Sequence, residues 1–438
     1  MSYKTYDNYK DSGIEWIGDI PSDWKIDKIK HQATDKKFSI VDGPFGTQLH
    51  NDEYVDDGVP VVRVTNLDYD GCFSSENLVY ITEDKYKELK RSSVKEGDFI
   101  IAKTGATIGK VGIFQGFSKG VIASSCLKIT LNKNICPTFF KYFLISDYCQ
   151  IQIINESSGS TRDTIGIDQM SNITIFLPEF DNQVKIADYL DKKTSEIDNI
   201  IAKNKKLISL LEEKKVALIN QIVSKGLDTT CLMKDSGIGW IGDIPENWGT
   251  EKLKFCTDMI NDKKDIADSK DKFVGLEHIE SKTGRLIGFS NEGADGSVNK
   301  FKENMVLFGK LRPYLAKVIL TSFEGVCSTE ILVFQTKRQI LPKFLYYVLL
   351  SNKFIEHINS STYGVKMPRA SPDFINNTSI MIPPLYDQEM IINFLNEETS
   401  KIDKTVEKIQ TNTNLLNEYK ASLIHHAVTG KIDVRDEV

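Results

Sequence analysis

The run Asp11-Ser-Gly-Ile-Glu-Trp-Ile-Gly-Asp-Ile-Pro-Ser-Asp-Trp24 returns as Asp235-Ser-Gly-Ile-Gly-Trp-Ile-Gly-Asp-Ile-Pro-Glu-Asn-Trp248, identical at eleven of fourteen positions. Solenoids repeat units of roughly 20 to 50 residues many times over. This run occurs twice, 224 residues apart, which signals a duplicated domain instead.

A second matching pair lies further on. Phe176-Leu-Pro178 leads into Asp181-Asn-Gln183, and Met381-Ile-Pro383 leads into Asp387-Gln388, now at an offset of 205. The stretch between motif and second marker is therefore 19 residues shorter in the second copy, so the interior has drifted while its frame has not. Each copy reads as a short motif, a variable domain and a long helix. The helices carry a heptad stripe, Leu190, Ile197, Asn204, Leu211, Leu218 in the first and Leu395, Ile402, Ile409, Leu416, Leu423 in the second. A companion row adds Ile186, Ile200 and Leu207, then Ile391, Val406 and Tyr419. Sustained seven-residue spacing predicts a coiled-coil seam, most simply between the two helices. Asn204 interrupts the stripe either as a register-setting buried polar residue or as a slightly exposed seam position. Nine lysines against eight acids between Asp181 and Asp228 suit a solvated helix.

A chain of 438 residues suits two or three domains. Its longest apolar run, around Phe344 to Leu350, falls far short of the roughly 20 residues of a membrane span. The polar start has no signal-peptide character, and a soluble cytoplasmic protein is expected. The seven cysteines form no CxxC pair and share no ligand spacing with the six histidines, so neither a disulfide framework nor a metal site is expected. A net charge of −6 argues against a generic nucleic-acid coat and shifts attention to local charge.

Between motif and helix, short β-rich runs broken by glycine predict an α+β domain in each copy: Val59-Pro-Val-Val-Arg-Val64, Asp98-Phe-Ile-Ile101 and residues 121 to 130, against Phe273-Val-Gly-Leu276 and Asn304-Met-Val-Leu-Phe308. The segments from Lys95 to Val111 and from Lys302 to Val318 share lysines at three matched positions. Charge is locally positive there, net +4 between Val94 and Lys133 and net +5 between Asn299 and Lys343. Lys103, Lys110, Lys310 and Lys317 suit phosphate contacts, while Thr104, Thr107, Arg312 and Tyr314 suit base edges. Gly105 and Gly109 allow close backbone approach. An ordinary hairpin with solvated lysines has the same composition, but recurrence in both copies favours contact. Further loop candidates are Thr47 with Arg63, Thr161 with Arg162, and Lys366 with Arg369 in the second copy. The tryptophans Trp16, Trp24, Trp240 and Trp248 either clamp each domain onto the seam or offer a partner-docking surface. The clamp is the favoured reading.

No catalytic constellation emerges. Gly105-Ala-Thr-Ile-Gly109-Lys110-Val111 has one residue too few for a phosphate loop, and valine stands where a hydroxyl should meet magnesium. Pro383-Pro384 lacks the preceding polar residue and following aromatic of an adenine methyltransferase motif.

The doubled order of Asp-Ser-Gly-Ile-x-Trp-Ile-Gly-Asp-Ile-Pro-x-x-Trp motif, variable domain and helix opened by Gln183 or Gln388 resembles the specificity subunit of type I restriction-modification enzymes. Gly275-Leu-Glu-His-Ile279 and Leu311-Arg-Pro-Tyr-Leu315 add to the likeness, which covers nearly the whole chain. The resemblance implies two target-recognition domains (1–180 and 229–385, each with its repeat motif) and two spacer helices (181–228 and 386–438) in an antiparallel coiled coil with pseudo-twofold symmetry. It implies double-stranded DNA, two methyltransferase subunits and restriction/translocase subunits as partners. S-adenosylmethionine, ATP and magnesium are then expected on those partners and none on this chain. A helix from Gln183 to Lys225 is on the order of 60 Å long at about 1.5 Å per residue, enough to space two heads along a duplex. Rival readings are a self-contained restriction or modification enzyme and a coiled-coil scaffold for proteins.

Overall fold

The repeated motif folds identically in both copies because its short polar side chains bond their own backbone. Asp11 accepts from the Gly13 amide at 2.9 Å and Ser12 from the Ile14 amide at 3.2 Å, and Asp235 and Ser236 repeat this on Gly237 and Ile238 at the same distances. Such Asx and Ser turns reverse the chain locally. Tyr9–Asp11 then pairs antiparallel with Asp19–Pro21, and Met233–Asp235 with Asp243–Pro245. In this computed structural model residues 3–45, 48–157, 163–265, 271–289, 296–364 and 366–437 are described.

After each motif a strand pairs with the strand that ends the same copy: Lys25–Lys28 with Thr174–Leu177, and Gly249–Lys252 with Ser379–Ile382. Entry to and exit from each head thus lie side by side, and the variable sequence forms the excursion between them. Each head contains an antiparallel four-stranded sheet. Its order is Ile40–Asp42, Cys126–Ile129, Phe99–Ala102, Val111–Ile113 in the first head and Thr257–Ile260, Ile331–Thr336, Val306–Gly309, Val318–Leu320 in the second. A second sheet shares three strands between the heads. Gly120–Ile122 lies parallel to Val59–Val62 and antiparallel to Ser93–Val94, as Gly325–Ser328 does to Phe273–Val274 and Ser297–Phe301. The fourth strand does not correspond: Val79–Ile81 joins one edge in the first head, and Lys263–Asp265 the opposite edge in the second. The apolar run around Phe344 is the buried helix Pro342–Leu350, and no described helix is long and apolar enough to cross a membrane.

The two long helices are Phe180–Lys225 and Leu385–Val428. The chain divides into one unit of residues 1–203 with 411–438 and another of residues 204–410. In the first, Leu190 packs in one core with Leu423, Ala427 and Val428, and Lys420 pairs with Asp198 at 2.8 Å. In the second, Ile219 and Val223 share a core with Ile391 and Leu395, and Lys215 pairs with Asp403 at 2.9 Å. Within each unit the two helix segments run antiparallel, Leu190 lying by Leu423 to Val428 with Asp198 by Lys420, and Ile219 to Val223 by Ile391 and Leu395 with Lys215 by Asp403.

The seam departs from the heptad reading in its middle. Leu190, Ile197, Leu395, Ile402 and Leu423 are buried, but Asn204, Leu211, Leu218, Ile409 and Leu416 are only half-buried. In the companion row Ile186, Ile391 and Val406 are buried, whereas Ile200, Leu207 and Tyr419 are 44–45% exposed. Two helices can bury one stripe between them; a second row needs another neighbour, which Ile186 and Ile391 find in the head cores.

Candidate nucleic-acid interface

The two lysine-bearing segments fold as matching hairpins. Phe99 faces Ile113 and Ile101 faces Val111; Val306 faces Leu320 and Phe308 faces Val318, a constant offset of 207. The strands Phe99–Ala102 and Val306–Gly309 are wholly buried, so only the connecting turns reach the surface. Each turn is pinned to a second loop. In the first head the Gly105 amide donates to Asp163 O at 2.8 Å and the Ile165 amide to Lys103 O at 3.0 Å. In the second, the Arg312 amide donates to Pro368 O at 2.7 Å and the Ala370 amide to Lys310 O at 3.0 Å. Segments that are about 60 residues apart in sequence thus form one surface in each head, a junction that sheet pairing imposes and composition does not reveal.

In the first head Thr104, Gly105 and Thr107 line an open cleft of about 910 Å³ together with Tyr69, Gln150 and Asp163. Tyr69 was not singled out by sequence; its hydroxyl donates to Ala106 O at 3.1 Å, and the Lys110 ammonium lies 5.6 Å from its ring centre. Lys110 is thereby presented at the rim of the cleft. Lys103 behaves differently from expectation: its ammonium is committed to Asp42 at 3.1 Å, where Arg91 also bonds at 2.7 Å. Burial pushes the Asp42 carboxyl up, but bonding and charge from Lys103 and Arg91 outweigh it and hold the group below its usual range. Lys103 therefore braces the hairpin base instead of offering a free cation. Arg63 is also engaged, donating to Asn77 O at 2.8 Å. Thr47, Thr161 and Arg162 lie outside the described residues.

In the second head Arg312 donates to Lys366 O at 3.3 Å, and Arg369 grips Glu330 through two bonds of 3.1 Å. Arg369 is thus an anchor of the loop junction, while Tyr314 and Lys366 are exposed beside it. Lys317 donates to Leu276 O at 2.5 Å and turns inward, unlike its counterpart Lys110. Lys310 lines a recess of about 240 Å³ with Lys263 and Asn299. The Asn299 side-chain oxygen is buried there without a partner, a polar group that sequence reading passed over because one asparagine in a strand carries no pattern.

The tryptophans divide into two kinds. Trp24 and Trp248 are 0 and 2% exposed and each packs within the core of its unit, the placement that the clamp reading requires. Helix-ending Gly430 and Gly226, both at positive φ, sit where an added Cβ would meet those indoles at 3.4 and 3.2 Å. Trp16 is about half exposed and tilts against Tyr148, and Trp240 stacks on His357 at 5.1 Å. Trp16 keeps an exposed face, whereas Trp240 is partly buried against the second unit's core. All seven cysteines are free, and among the described residues no group of His, Cys, Asp and Glu has metal-binding geometry.

A family model described as Type I restriction modification DNA specificity domain matches residues 46–211 and again 245–417. The EcoDI specificity subunit of Escherichia coli is 23% identical over 319 residues, 68% of this chain and 71% of that one. The MjaVIII specificity subunit of Methanocaldococcus jannaschii is 22% identical over 465 aligned positions, covering 100% of this chain and 98% of its own. Among solved structures, a chain from a study of assembly and conformational transition in a type I R-M system superposes with a TM-score of 0.71 at 13% identity, covering 94% of this chain and 99% of that one. The HsdS subunit of Thermoanaerobacter tengcongensis gives 0.53 at 13% identity, covering 94% and 98%.

Proposed function

We propose, on the premise that this chain belongs to the family of type I restriction-modification DNA specificity subunits, that each head reads one half of a bipartite DNA target. The observation that carries this reading is the pair of hairpin junctions, placed at matched positions on two heads whose sequences differ. Matched placement suits equivalent approach to DNA, and different side chains suit different words. In the first head Thr104, Thr107 and Lys110 contact DNA with the Gly105 backbone; in the second, Arg312, Tyr314 and Lys366 do so. Lys103, Lys317 and Arg369 are positioning residues.

The frame, rather than the heads, recruits two methyltransferase subunits and, through them, restriction and translocase subunits in the cytoplasm. S-adenosylmethionine, ATP and magnesium act on those partners, and this chain supplies the address. Salt-dependent DNA binding by the assembled complex tests the assignment. Lys110→Ala is expected to weaken binding to all sequences and to reduce the slope of log K against log salt by about one. Arg312→Ala is expected to relax the sequence preference of one half-site only. Methylation sequencing of the source genome is expected to return two unlike half-sites separated by a spacer; a continuous palindrome would sink the reading.

A further inference from the structure

The two copies of the frame differ at a place that DNA reading does not use. In the first unit the Trp24 indole is roofed. Tyr6 stands edge-on to it at 5.8 Å between ring centres, and the Arg435 guanidinium lies 4.5 Å over the Tyr6 ring. Tyr3 bonds to the Tyr419 hydroxyl and packs against the core that holds the buried Tyr189. The segment carrying both tyrosines is fastened by the Asp433 amide, which donates to Lys4 O at 2.7 Å.

The motif offset of 224 maps Tyr3, Tyr6 and Tyr9 onto Leu227, Thr230 and Met233. Thr230 turns its hydroxyl to Asp228 at 2.6 Å. Among the described residues no aromatic ring covers Trp248 as Tyr6 covers Trp24. A pocket of about 270 Å³ opens there instead, walled by Trp248, Pro245, Met390, Ile391 and Asp387. Its rim continues into a stripe: Tyr386, Met390 and Phe394, spaced four apart on the second long helix, are 70, 44 and 36% exposed. At the offset of 205 the first helix carries Asp181, Lys185 and Tyr189, two charges and a ring already buried in the first unit's core. One unit has a roof and charges; the other has an open pocket and an apolar stripe.

A contiguous exposed apolar patch beside a pocket marks a site for a partner. The filled copy shows what fits. We propose that an aromatic side chain on an extended segment of the methyltransferase subunit enters the Trp248 pocket and lies along Tyr386, Met390 and Phe394. It does at Trp248 what Tyr6 does at Trp24. The indole and thioether favour a ring, and Asp228 and Asp387 at the mouth suit a hydroxyl or amide on the same segment. A second copy of this chain is disfavoured as occupant because its own tyrosines are already engaged in its first unit. The inference rests on the recruitment reading above and deepens it: the two methyltransferase subunits dock on unlike surfaces.

Two substitutions at exposed positions test it. Thr230→Tyr supplies the first unit's own roof and plugs the pocket; Met390→Glu charges the stripe. Each variant, checked for an unchanged thermal melt, is titrated with the methyltransferase subunit, and stoichiometry is read by mass photometry. The wild-type chain is expected to bind two subunits. In either variant one of the two is expected to bind at least about tenfold more weakly, stalling the complex at one methyltransferase. Wild-type stoichiometry and affinity in both variants overturns the proposal and leaves recruitment intact. A wild-type chain that binds no methyltransferase overturns recruitment and the proposal together. Self-association of the wild type that Met390→Glu abolishes assigns the pocket to a second copy and also overturns it. Should one variant misfold, the other decides.

Discussion

Gly105 and Gly109 in the first head and Arg312 and Ala316 in the second occupy the same places in their hairpin turns, offset by 207, and all four have positive φ, at 66, 85, 51 and 45°. An L-residue in that region costs roughly 1–2 kcal/mol, so the second head carries backbone strain at its candidate DNA-reading turn. The surroundings explain why glycine is required at one site and alanine tolerated at the other. A Cβ on Gly109 would meet Gln150 Oε1 at 2.1 Å, and that amide is held by bonds to Gly109 O and Leu144 O. The residue matching Gln150 at the frame offset is Ile355, and Ala316 packs in the same apolar core as Ile355. Gly109→Ala is therefore expected to destabilise the first head by about 2 kcal/mol, from strain and collision together. Adding Gln150→Ala should restore part of that loss in a denaturant titration. A neutral single variant would show that the turn conformation is not as described.

At the scale of elements, each long helix is tied to its head by one buried glutamine. Gln183 accepts from the Cys136 amide at 2.9 Å and donates to Pro178 O at 3.0 Å; Gln388 accepts from the Leu341 amide at 2.8 Å and donates to Gln339 O and Pro383 O, both at 2.9 Å. The side chain closes the Pro-to-helix turn and also satisfies backbone that no strand or helix reaches. Leucine fills the same volume but leaves buried donors and acceptors unpaired. Gln388→Leu is expected to cost roughly 3 kcal/mol, read as a shift in the denaturation midpoint followed by tryptophan emission. Gln388→Glu sets a buried carboxylate against the Gln339 and Pro383 carbonyls and is expected to cost at least as much at neutral pH, with part of the loss recovered at low pH, where the protonated acid can donate again. Equal stability of all three would refute the latch.

At the scale of the whole molecule, the units do not follow the order of the chain. The first is completed by residues 411–438, whose Leu423, Ile424, Ala427, Val428 and Val434 enter the core that holds Trp24 and Leu190. Removing residues 411–438 is expected to expose that core and abolish protease protection of the first head, while residues 204–410 keep theirs. Protection of the first head that survives the deletion would contradict a unit built from both ends.

Sequence by itself determined the duplication, the two long helices and the family, because these rest on features a linear pattern carries: an eleven-in-fourteen identity, a seven-residue period, and a fixed order of motif, domain and helix. It also picked out the hairpin turns, since matched lysines in unlike contexts survive as a pattern. Tertiary structure alone decided which of those lysines face outward. Lys103 is consumed by Asp42 and Lys317 by a carbonyl, through partners 61 and 41 residues away, while Lys110 stays at the rim on Tyr69. It also separated the buried Trp24 and Trp248 from the half-exposed Trp16 and the partly buried Trp240, four identical letters in one repeated motif. Burial depends on what packs from elsewhere in the chain: Trp24 lies in a core completed by Leu423 to Val428, and Trp248 in one shared with Ile219, Val223 and Ile391.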